Sequence, residues 1–160
     1  MTMQGIVAMF VLVELTTEKI DSILREARSR PYEPWCYWLA DQYETAPPDT
    51  DEGGIDGTKA PIDKDWKSPF IGRTLRECAD FLRKAPSSAW LDRNFFAVVE
   101  EHTLDKGVIT LCRIGNWVGE GDEITSLPAR LRESGDLLGG MDPDSWDEWL
   151  EDTKRTGKPA

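Results

Sequence analysis

Residues 6–13 have the sequence Ile6-Val-Ala-Met-Phe-Val-Leu-Val13, and this stretch decides the fold of the chain. Together with the residues that follow it up to Leu15, it fills both alternating faces of an extended chain with apolar side chains, and this pattern over Ile6–Leu15 is typical of a central strand covered from both sides. No Lys or Arg precedes the stretch, no small-residue cleavage site follows it, and it is far shorter than the ~20 residues that span a bilayer. It therefore predicts a buried strand rather than a secretory signal or a membrane span.

A helix and a second strand are predicted after this first strand. Thr16 or Thr17 can cap the helix, and Pro31 marks its end. The buried side of the helix is predicted from four apolar residues at helical spacing, Ile20, Ile23, Leu24 and Ala27. The aromatic-rich run Trp35–Gln42 predicts the second strand. A strand, a crossover helix and a strand imply a parallel pair with a right-handed connection.

The second half of the chain predicts further helices and a hairpin. The predicted elements are a helix opened by the capping box Thr74-Leu-Arg-Glu77, hairpin strands Asn94–Glu101 and Val108–Ile114, a short strand Glu123–Leu127, a brief helix from Pro128, and a last helix from Asp142-Pro143. We therefore predict an α+β (α/β-like) domain over residues 1–152. It has a mixed sheet of four to five strands with helices packed on it, in the order β-α-β-(long loop)-α-β-β-β-α-α, and a disordered tail over 153–160.

The second half also resembles a small domain family of unknown function that occurs in actinobacteria and filamentous fungi. The matching positions are Gly72-x-Thr74-Leu75, Phe95-Phe96-Ala97-Val98-Val99, Ile109–Cys112, Ile124-x-x-Leu127-Pro128, and Gly135-Asp136-Leu137-Leu138 followed by Met141-Asp142. The resemblance covers about residues 70–152 and rests on packing and turn positions. It implies one α/β domain, and it carries over no functional site.

The formal charge of the 160-residue chain is −11, and the acidic excess is concentrated in two segments. Residues 41–65 carry a net charge of −6, and residues 133–152 carry −8, which leaves +3 for the rest of the chain. Surfaces of this sign repel nucleic acid and anionic membranes, so neither is predicted as a partner. The three cysteines are odd in number and far apart, which favours reduced thiols in a cytoplasmic protein.

Polar residues follow each strand at one edge of the predicted sheet. Ligands of open α/β sheets bind beyond the carboxyl ends of the parallel strands. The first strand ends at Glu14, and the second is followed by Asp41 and Tyr43. If the third strand is parallel to these two, it ends at Glu100 and His102, the only histidine. A carboxylate beside an imidazole suits general acid–base catalysis, so His102, Glu100, Asp41 and Tyr43 are the predicted catalytic residues.

The acidic loop over residues 44–69 leaves from the same edge and could fold over a pocket there. Trp66 stands in this loop and could close over an apolar ligand. The second strand carries Trp35, Tyr37 and Trp38 on both of its faces, so part of this aromatic set is predicted to line the pocket. The predicted ligand-binding residues are Trp35, Tyr37, Trp38, Trp66 and Glu14.

No motif of the chain predicts a cofactor or a metal. Asp49-x-Asp51 is similar to the start of an EF-hand loop, but Gly53 and Ala60 stand where that loop requires oxygen ligands. The sequence has no Walker A loop, no GxGxxG after a strand, no GxSxG elbow and no HExxH motif. The chain is therefore predicted to work without a cofactor and without a metal.

Two functions from different classes are predicted. The first is binding of a small molecule in an aromatic, apolar pocket. As an enzyme, such a domain would be cofactor-independent and promote cyclisation, pericyclic closure included, or isomerisation of an apolar metabolite. The second is a non-catalytic interaction module of the toxin-neutralising type, whose acidic faces bind a basic protein. Whether the chain is an enzyme and which oligomeric state it adopts are left open.

Overall fold

A computed structural model of the chain describes residues 5–49 and 56–160. Its five strands are β1 (Ile6–Val11), β2 (Tyr37–Leu39), β3 (Leu91–Val99), β4 (Val108–Ile114) and β5 (Ile124–Arg130). They form one sheet in the order β2-β1-β3-β4-β5. β1 pairs in parallel with β2 and β3, and β4 pairs antiparallel with β3 and β5. The predicted α+β class with a mixed sheet is confirmed.

The helices are α1 (Thr17–Ala27), α2 (Leu75–Arg83), the single turn α3 (Thr103–Lys106), α4 (Ser134–Gly139) and α5 (Ser145–Thr156). Two of them begin where the sequence predicts a cap. The Thr16 hydroxyl accepts a hydrogen bond from the backbone N–H of Lys19 at the start of α1. At α2, Thr74 and Glu77 form the complete capping box.

Helices cover both faces of the sheet, which explains the apolar sequence of β1. Alternate residues of β1 enter different clusters: Val7, Met9 and Val11 pack on the side of α1, α4 and α5, here called the α1 side. Ile6, Ala8 and Phe10 pack on the side of α2, the α2 side. All six residues of β1 are buried. At ~25 cal/mol per Å² of buried apolar surface, a strand covered on both faces is stabilised about twice as much as one covered on a single face.

The connections leave β1 and β2 towards opposite faces. The crossover from β1 to β2 runs through α1, whereas the crossover from β2 to β3 runs through α2 on the other face and passes over β1. The carboxyl ends of β1 and β3 therefore lie at a topological switch point, where crevices form in open α/β sheets. The backbone N–H of Leu12 donates to the carbonyl of Val99 there, 3.1 Å away, so the two strand ends stay together.

The structure differs from the sequence-based prediction at several boundaries; β3, for example, begins at Leu91 rather than Asn94 and ends at Val99 rather than Glu101. β2 is shorter than Trp35–Gln42, and the segment after it forms a 3-10 turn, Tyr43–Thr45. Pro128 lies inside β5 rather than at the start of a helix, since β5 has only one neighbouring strand and can accommodate a residue that lacks an N–H group. α5 runs past residue 152 to Thr156, and the backbone of Ala160 exchanges hydrogen bonds with Pro128 and Arg130. The predicted disordered tail over 153–160 therefore begins as the last turn of α5, and its final residue pairs with β5.

Among the described residues, no helix is both long enough and apolar enough to cross a membrane. The three cysteines are free thiols, of which Cys78 and Cys112 are buried and Cys36 is half-buried.

Candidate functional site

The polar residues predicted to share one edge do so. Glu14 follows β1, Asp41 follows β2, and Glu100 and His102 follow β3. Because β1 is parallel to both β2 and β3, the carboxyl ends of all three strands lie at the same edge of the sheet. The fold therefore forms the edge at which the sequence predicts a site.

A cleft of about 380 Å³ lies at this edge, beyond the end of β1. The first turn of α1 forms one wall, and a segment of the long loop, residues 64–71, forms the other; we call this segment the strap. The residues around the cleft are Val11, Val13, Glu14, Leu15, Thr16, Thr17, Glu18, Ile20, Lys64, Trp66, Lys67, Ser68 and Ile71. Of the predicted site residues, Glu14 and Trp66 line it.

The strap is tied to the sheet by side-chain hydrogen bonds. The indole N–H of Trp66 donates to Oδ2 of Asp41 over 2.8 Å. The hydroxyl of Ser68 donates to the carbonyl of Val11 over 2.6 Å. Phe70 is buried on the α2 side, with its ring centroid 4.8 Å from that of Phe10. The strap therefore crosses the end of β1 from the α1 side to the α2 side, and it is anchored in both layers.

An earlier part of the same loop protects the outer edge of β2. The backbone N–H of Gly57 donates to the carbonyl of Trp35, and that of Thr58 donates to the carbonyl of Tyr37, each over 2.8 Å. A Cβ at Gly57 would lie 2.1 Å from the Tyr37 carbonyl oxygen, so only glycine permits this approach. The described part of the loop therefore packs as a cover, whereas residues 50–55 of the predicted loop lie outside the described range.

Asp41 positions the strap. Besides Trp66, its carboxylate accepts hydrogen bonds from the backbone N–H of Gln42, 2.6 Å away, and from the hydroxyl of Thr45. That hydroxyl also accepts a hydrogen bond from the indole N–H of Trp38, over 3.1 Å. A chain of contacts thus links the buried Trp38 to Trp66 through Asp41. Both oxygens of the predicted catalytic carboxylate are engaged in holding the loop.

Tyr43 lies on the α2 side, away from the strap. Its ring stacks on that of Phe81 with a centroid separation of 4.3 Å, and its hydroxyl donates to the Phe81 carbonyl over 2.8 Å. Desolvation raises the pKa of this hydroxyl, and the charge of Arg93 opposes the rise. These contacts hold α2 against the start of the loop. The Tyr43 hydroxyl, which the sequence predicts to be catalytic, is therefore engaged in a structural hydrogen bond.

Glu100 and His102 are neighbours at the edge but stand outside the cleft. Nε2 of His102 is 3.9 Å from Oε2 of Glu100, and the side chains are 53% and 43% exposed. Neither residue is among those that line the cleft. The structure therefore brings Glu100 and His102 together, as the sequence predicts. The pair is exposed to solvent beside α3 and does not face a dry pocket.

Two predicted pocket aromatics belong to the core. Tyr37 and Trp38 are each 1% exposed. The hydroxyl of Tyr37 donates to Oγ of Ser134 over 2.7 Å, so its polar end is satisfied within the α1 side, where burial raises its pKa. Trp38 packs on the α2 side. The expectation that they line a pocket is wrong, because helices cover both faces of β2.

Trp35 lies at the opposite edge of the sheet. It precedes β2, and it lines a separate groove of about 300 Å³ together with Trp90. The guanidinium of Arg28 lies over its ring, 4.1 Å from the centroid. An aromatic residue at the amino end of a strand cannot reach a cleft at the carboxyl end, which corrects its assignment to the same site.

The sequence did not nominate the charged residues that border the cleft beside Glu14. These are Glu18, in the first turn of α1, and Lys64 and Lys67, on the strap. The signal that could have found the lysines is their position two residues before and one residue after Trp66. Among residues 5–49 and 56–160, no group of three or more His, Cys, Asp or Glu side chains could hold a metal ion.

Comparisons of the chain with protein-family models, with curated proteins and with solved structures find no match. The resemblance of residues 70–152 to a small domain family therefore stays a prediction. The function has to be inferred from the geometry of the edge itself.

Proposed function

We propose that this chain binds a small molecule in the cleft between the start of α1 and the strap. The observation that carries the proposal is the position of the cleft: it opens at the carboxyl end of the central parallel strand, beside the switch point of the sheet. This is where open α/β sheets place their ligands. Trp66, one wall of the cleft, is held by Asp41 and so presents its ring without a cost for ordering it.

The size and lining of the cleft support a compact ligand with an apolar body. Its volume of about 380 Å³ is at the lower end of the ~300–1,000 Å³ typical of ligand pockets. Val13, Leu15 and Ile20 supply aliphatic surface to the lining, and Trp66 supplies aromatic surface. Aliphatic and aromatic surface gives affinity by apolar burial, while nearby polar groups fix the orientation of the ligand.

The proposal covers binding and does not extend to a reaction. A cyclase or isomerase needs a polar group in contact with the reacting atoms. His102 and Glu100 do not line the cleft, and Asp41 and Tyr43 have structural partners. The cyclisation or isomerisation expected from the sequence thus stays a prediction without a nominated group.

The proposal is tested by titrating the ¹⁵N-labelled protein with indole and similarly sized neutral ring compounds and following its amide and indole N–H signals. We expect shifts confined to residues 13–20 and 64–71. Trp66→Ala should abolish them, whereas Trp66→Phe, which keeps a ring, should retain most of the response.

Trp90→Ala is the matched control, because Trp90 is another half-buried tryptophan but lines the groove at the opposite edge. Shifts that survive Trp66→Ala and vanish in Trp90→Ala would move the site to that groove. The absence of any localised shift at millimolar concentrations of every neutral compound and of L-phenylalanine would overturn the proposal.

A second candidate function is docking of a basic protein, and the C-terminal acidic segment favours it. All eight carboxylates between Glu133 and Asp152 belong to exposed residues. Within residues 5–49 and 56–160, three of them form ion pairs, with Arg130, Arg113 and Arg155. Docking of this kind should weaken steeply as salt is raised from 50 to 500 mM, since the Debye length falls from ~14 to ~4 Å. Binding in the cleft through apolar surface should change little.

For its surroundings we propose the cytoplasm. The three free thiols support this assignment, because oxidising compartments favour disulfides.

A further inference from the structure

Four charged side chains border the cleft, two of each sign. Glu14 and Glu18 belong to the wall formed by the end of β1 and the start of α1, and Lys64 and Lys67 belong to the strap. The carboxylates and the ammonium groups therefore belong to different segments of the lining, which also includes aliphatic residues and Trp66.

None of these four side chains forms an ion pair with another described residue. Six ion pairs between Lys or Arg and Asp or Glu form elsewhere in the described chain, including pairs one helical turn apart such as Arg73–Glu77. The acidic and the basic side chains of the lining thus form no ion pair with one another. Glu18 lies favourably at the positive end of the α1 dipole, but Glu14 precedes the helix, and the two lysines have no comparable structural role.

Resting on the proposed function, we propose that the ligand is a dipolar small molecule, with an ammonium and a carboxylate group at one end of an apolar body, as in a free amino acid with a large apolar side chain. Its ammonium group binds the carboxylates of Glu14 and Glu18. Its carboxylate binds the ammonium groups of Lys64 and Lys67. The apolar side chain of the ligand packs against Trp66 and the aliphatic residues Val13, Leu15 and Ile20.

The size of the cleft agrees with this class. A volume of about 380 Å³ admits a molecule of amino-acid size and leaves little space for a dinucleotide or a lipid. A ligand that carries both charges also leaves the net charge of the site unchanged. A singly charged ligand of either sign would approach two groups of its own sign, and like-charge contacts oppose binding.

The experiment compares L-phenylalanine and L-leucine with two probes that share the phenyl body of phenylalanine. 2-Phenylethylamine lacks the carboxylate, and 3-phenylpropionate lacks the ammonium group. Dissociation constants are measured by calorimetry and by indole N–H shifts of Trp66. We expect the amino acids to bind about tenfold or more tightly than either probe, as ion pairs of ~1.4 kcal/mol would give.

Variants that remove one charge show which wall of the cleft binds the ammonium group of the ligand and which binds its carboxylate. Glu14→Gln should weaken binding of the amino acids and of 2-phenylethylamine about five- to tenfold. It should not weaken binding of 3-phenylpropionate, whose carboxylate the Glu14 charge repels, and should strengthen it where the two groups come close. Lys67→Gln should show the reverse pattern. The controls are Glu101→Gln and Lys19→Gln, exposed residues near the same edge that do not line the cleft. They should change no affinity beyond error.

The outcomes separate this inference from the proposed function. If the two probes and the amino acids bind equally, with dependence on Trp66, the cleft binds small molecules but the dipolar class is wrong. If the amino acids bind and the variants show no crossed pattern, the assignment of the charged walls is wrong. If neutral ring compounds bind and no amino acid does, the inference fails while the proposed function stands, and if nothing binds, both fail.

Discussion

Trp66 and Asp41 are 25 residues apart in the chain, and the indole N–H of one donates to the carboxylate of the other over 2.8 Å. This contact joins the strap to the end of β2. It makes a polar residue at the edge of the sheet responsible for the shape of the cleft, and it explains why a carboxylate stands where the sequence suggested a catalytic group.

Loss of the Asp41 carboxylate should loosen the strap. Asp41→Ala leaves the half-buried indole N–H of Trp66 without its acceptor, and we expect a loss of about 1 kcal/mol in the free energy of unfolding. The indole N–H of Trp66, assigned by its disappearance in Trp66→Phe, should also exchange faster with solvent. Glu44→Gln is the control, since Glu44 is exposed at the same turn. Unchanged exchange in Asp41→Ala would show that the strap does not depend on this bond.

The loop packs so closely on β2 at Gly57 that we expect no other residue to fit there. Gly57→Ala would place a Cβ 2.1 Å from the Tyr37 carbonyl oxygen, which forces the backbone of the loop away from the strand. We expect a destabilisation of about 1–3 kcal/mol in urea unfolding, as for other overpacked sites. Gly139→Ala, at a helical glycine with open space around it, should be neutral or stabilise the protein by about 0.5–1 kcal/mol. Equal stabilities of the two variants would contradict the packing described.

Arg93 should be essential for the junction of α2 and β3. Its guanidinium donates to four backbone carbonyls, those of Leu82, Ala85, Pro86 and Ala89, over 2.7–3.3 Å. Lysine cannot span four acceptors in a planar fork, so Arg93→Lys should lower the free energy of unfolding by about 2 kcal/mol and Arg93→Ala by at least as much.

Arg25→Lys is the matched control for this junction, because Arg25 is exposed and its side chain makes no hydrogen bond within the described chain. Thermal and urea unfolding of the three variants would decide the point. A stability of Arg93→Lys equal to that of wild type would mean that solvent replaces the four contacts.

Burial of the thiols should make stability fall at alkaline pH. Desolvation raises the pKa of Cys36 and Cys78 from 9.0 to about 12. Above pH 9 the unfolded chain loses these protons while the folded chain keeps them, so the free energy of unfolding decreases as pH rises towards 12. Each thiol contributes up to about 1.4 kcal/mol per pH unit.

The measurement is the slope of the unfolding free energy against pH between pH 9 and 10.5. Lysine and tyrosine residues also titrate in this range, so the contribution of a thiol is isolated by comparing the wild type with a cysteine variant. Cys78→Ala should flatten the slope relative to wild type, because it removes one of the shifted thiols. In the folded protein at pH 8, a thiol reagent should label Cys36 and Cys78 far more slowly than free cysteine. Identical slopes in the variant and the wild type would show that the thiols do not contribute.

Much of the fold could be predicted from local signals. The capping box at Thr74 and Glu77 marks the start of α2 because its hydrogen bonds lie within four consecutive residues. The two-sided apolar pattern of β1 predicts its central place, since only a strand covered on both faces buries every residue. Parallel pairing of β1 with β2 then follows from the crossover connection, and with it the shared edge of Glu14 and Asp41. The direction of β3, which brings Glu100 to the same edge, was left open by the sequence and is decided by its pairing with β1.

The site could be predicted only in outline. The role of Trp66 as a wall rests on its position in the loop, and it lines the cleft as expected. The prediction that Tyr37 and Trp38 line the pocket was wrong, because an aromatic strand has the same sequence pattern whether a pocket or a helix covers it. Their burial depends on contacts such as the one from Tyr37 to Ser134, which are 97 residues apart.

The sequence by itself determined the central strand, the caps of the helices and the edge at which polar residues gather, because periodicity and chain direction are properties of neighbouring residues. Only the tertiary structure decided which of those residues meet. Hydrogen bonds and packing between distant segments set the path of the strap over β1 and the hydrogen bond from Trp66 to Asp41. They also bring the charged residues of the two segments to the cleft. Such contacts form when apolar surface on both sides of the sheet is buried, and no local pattern encodes them.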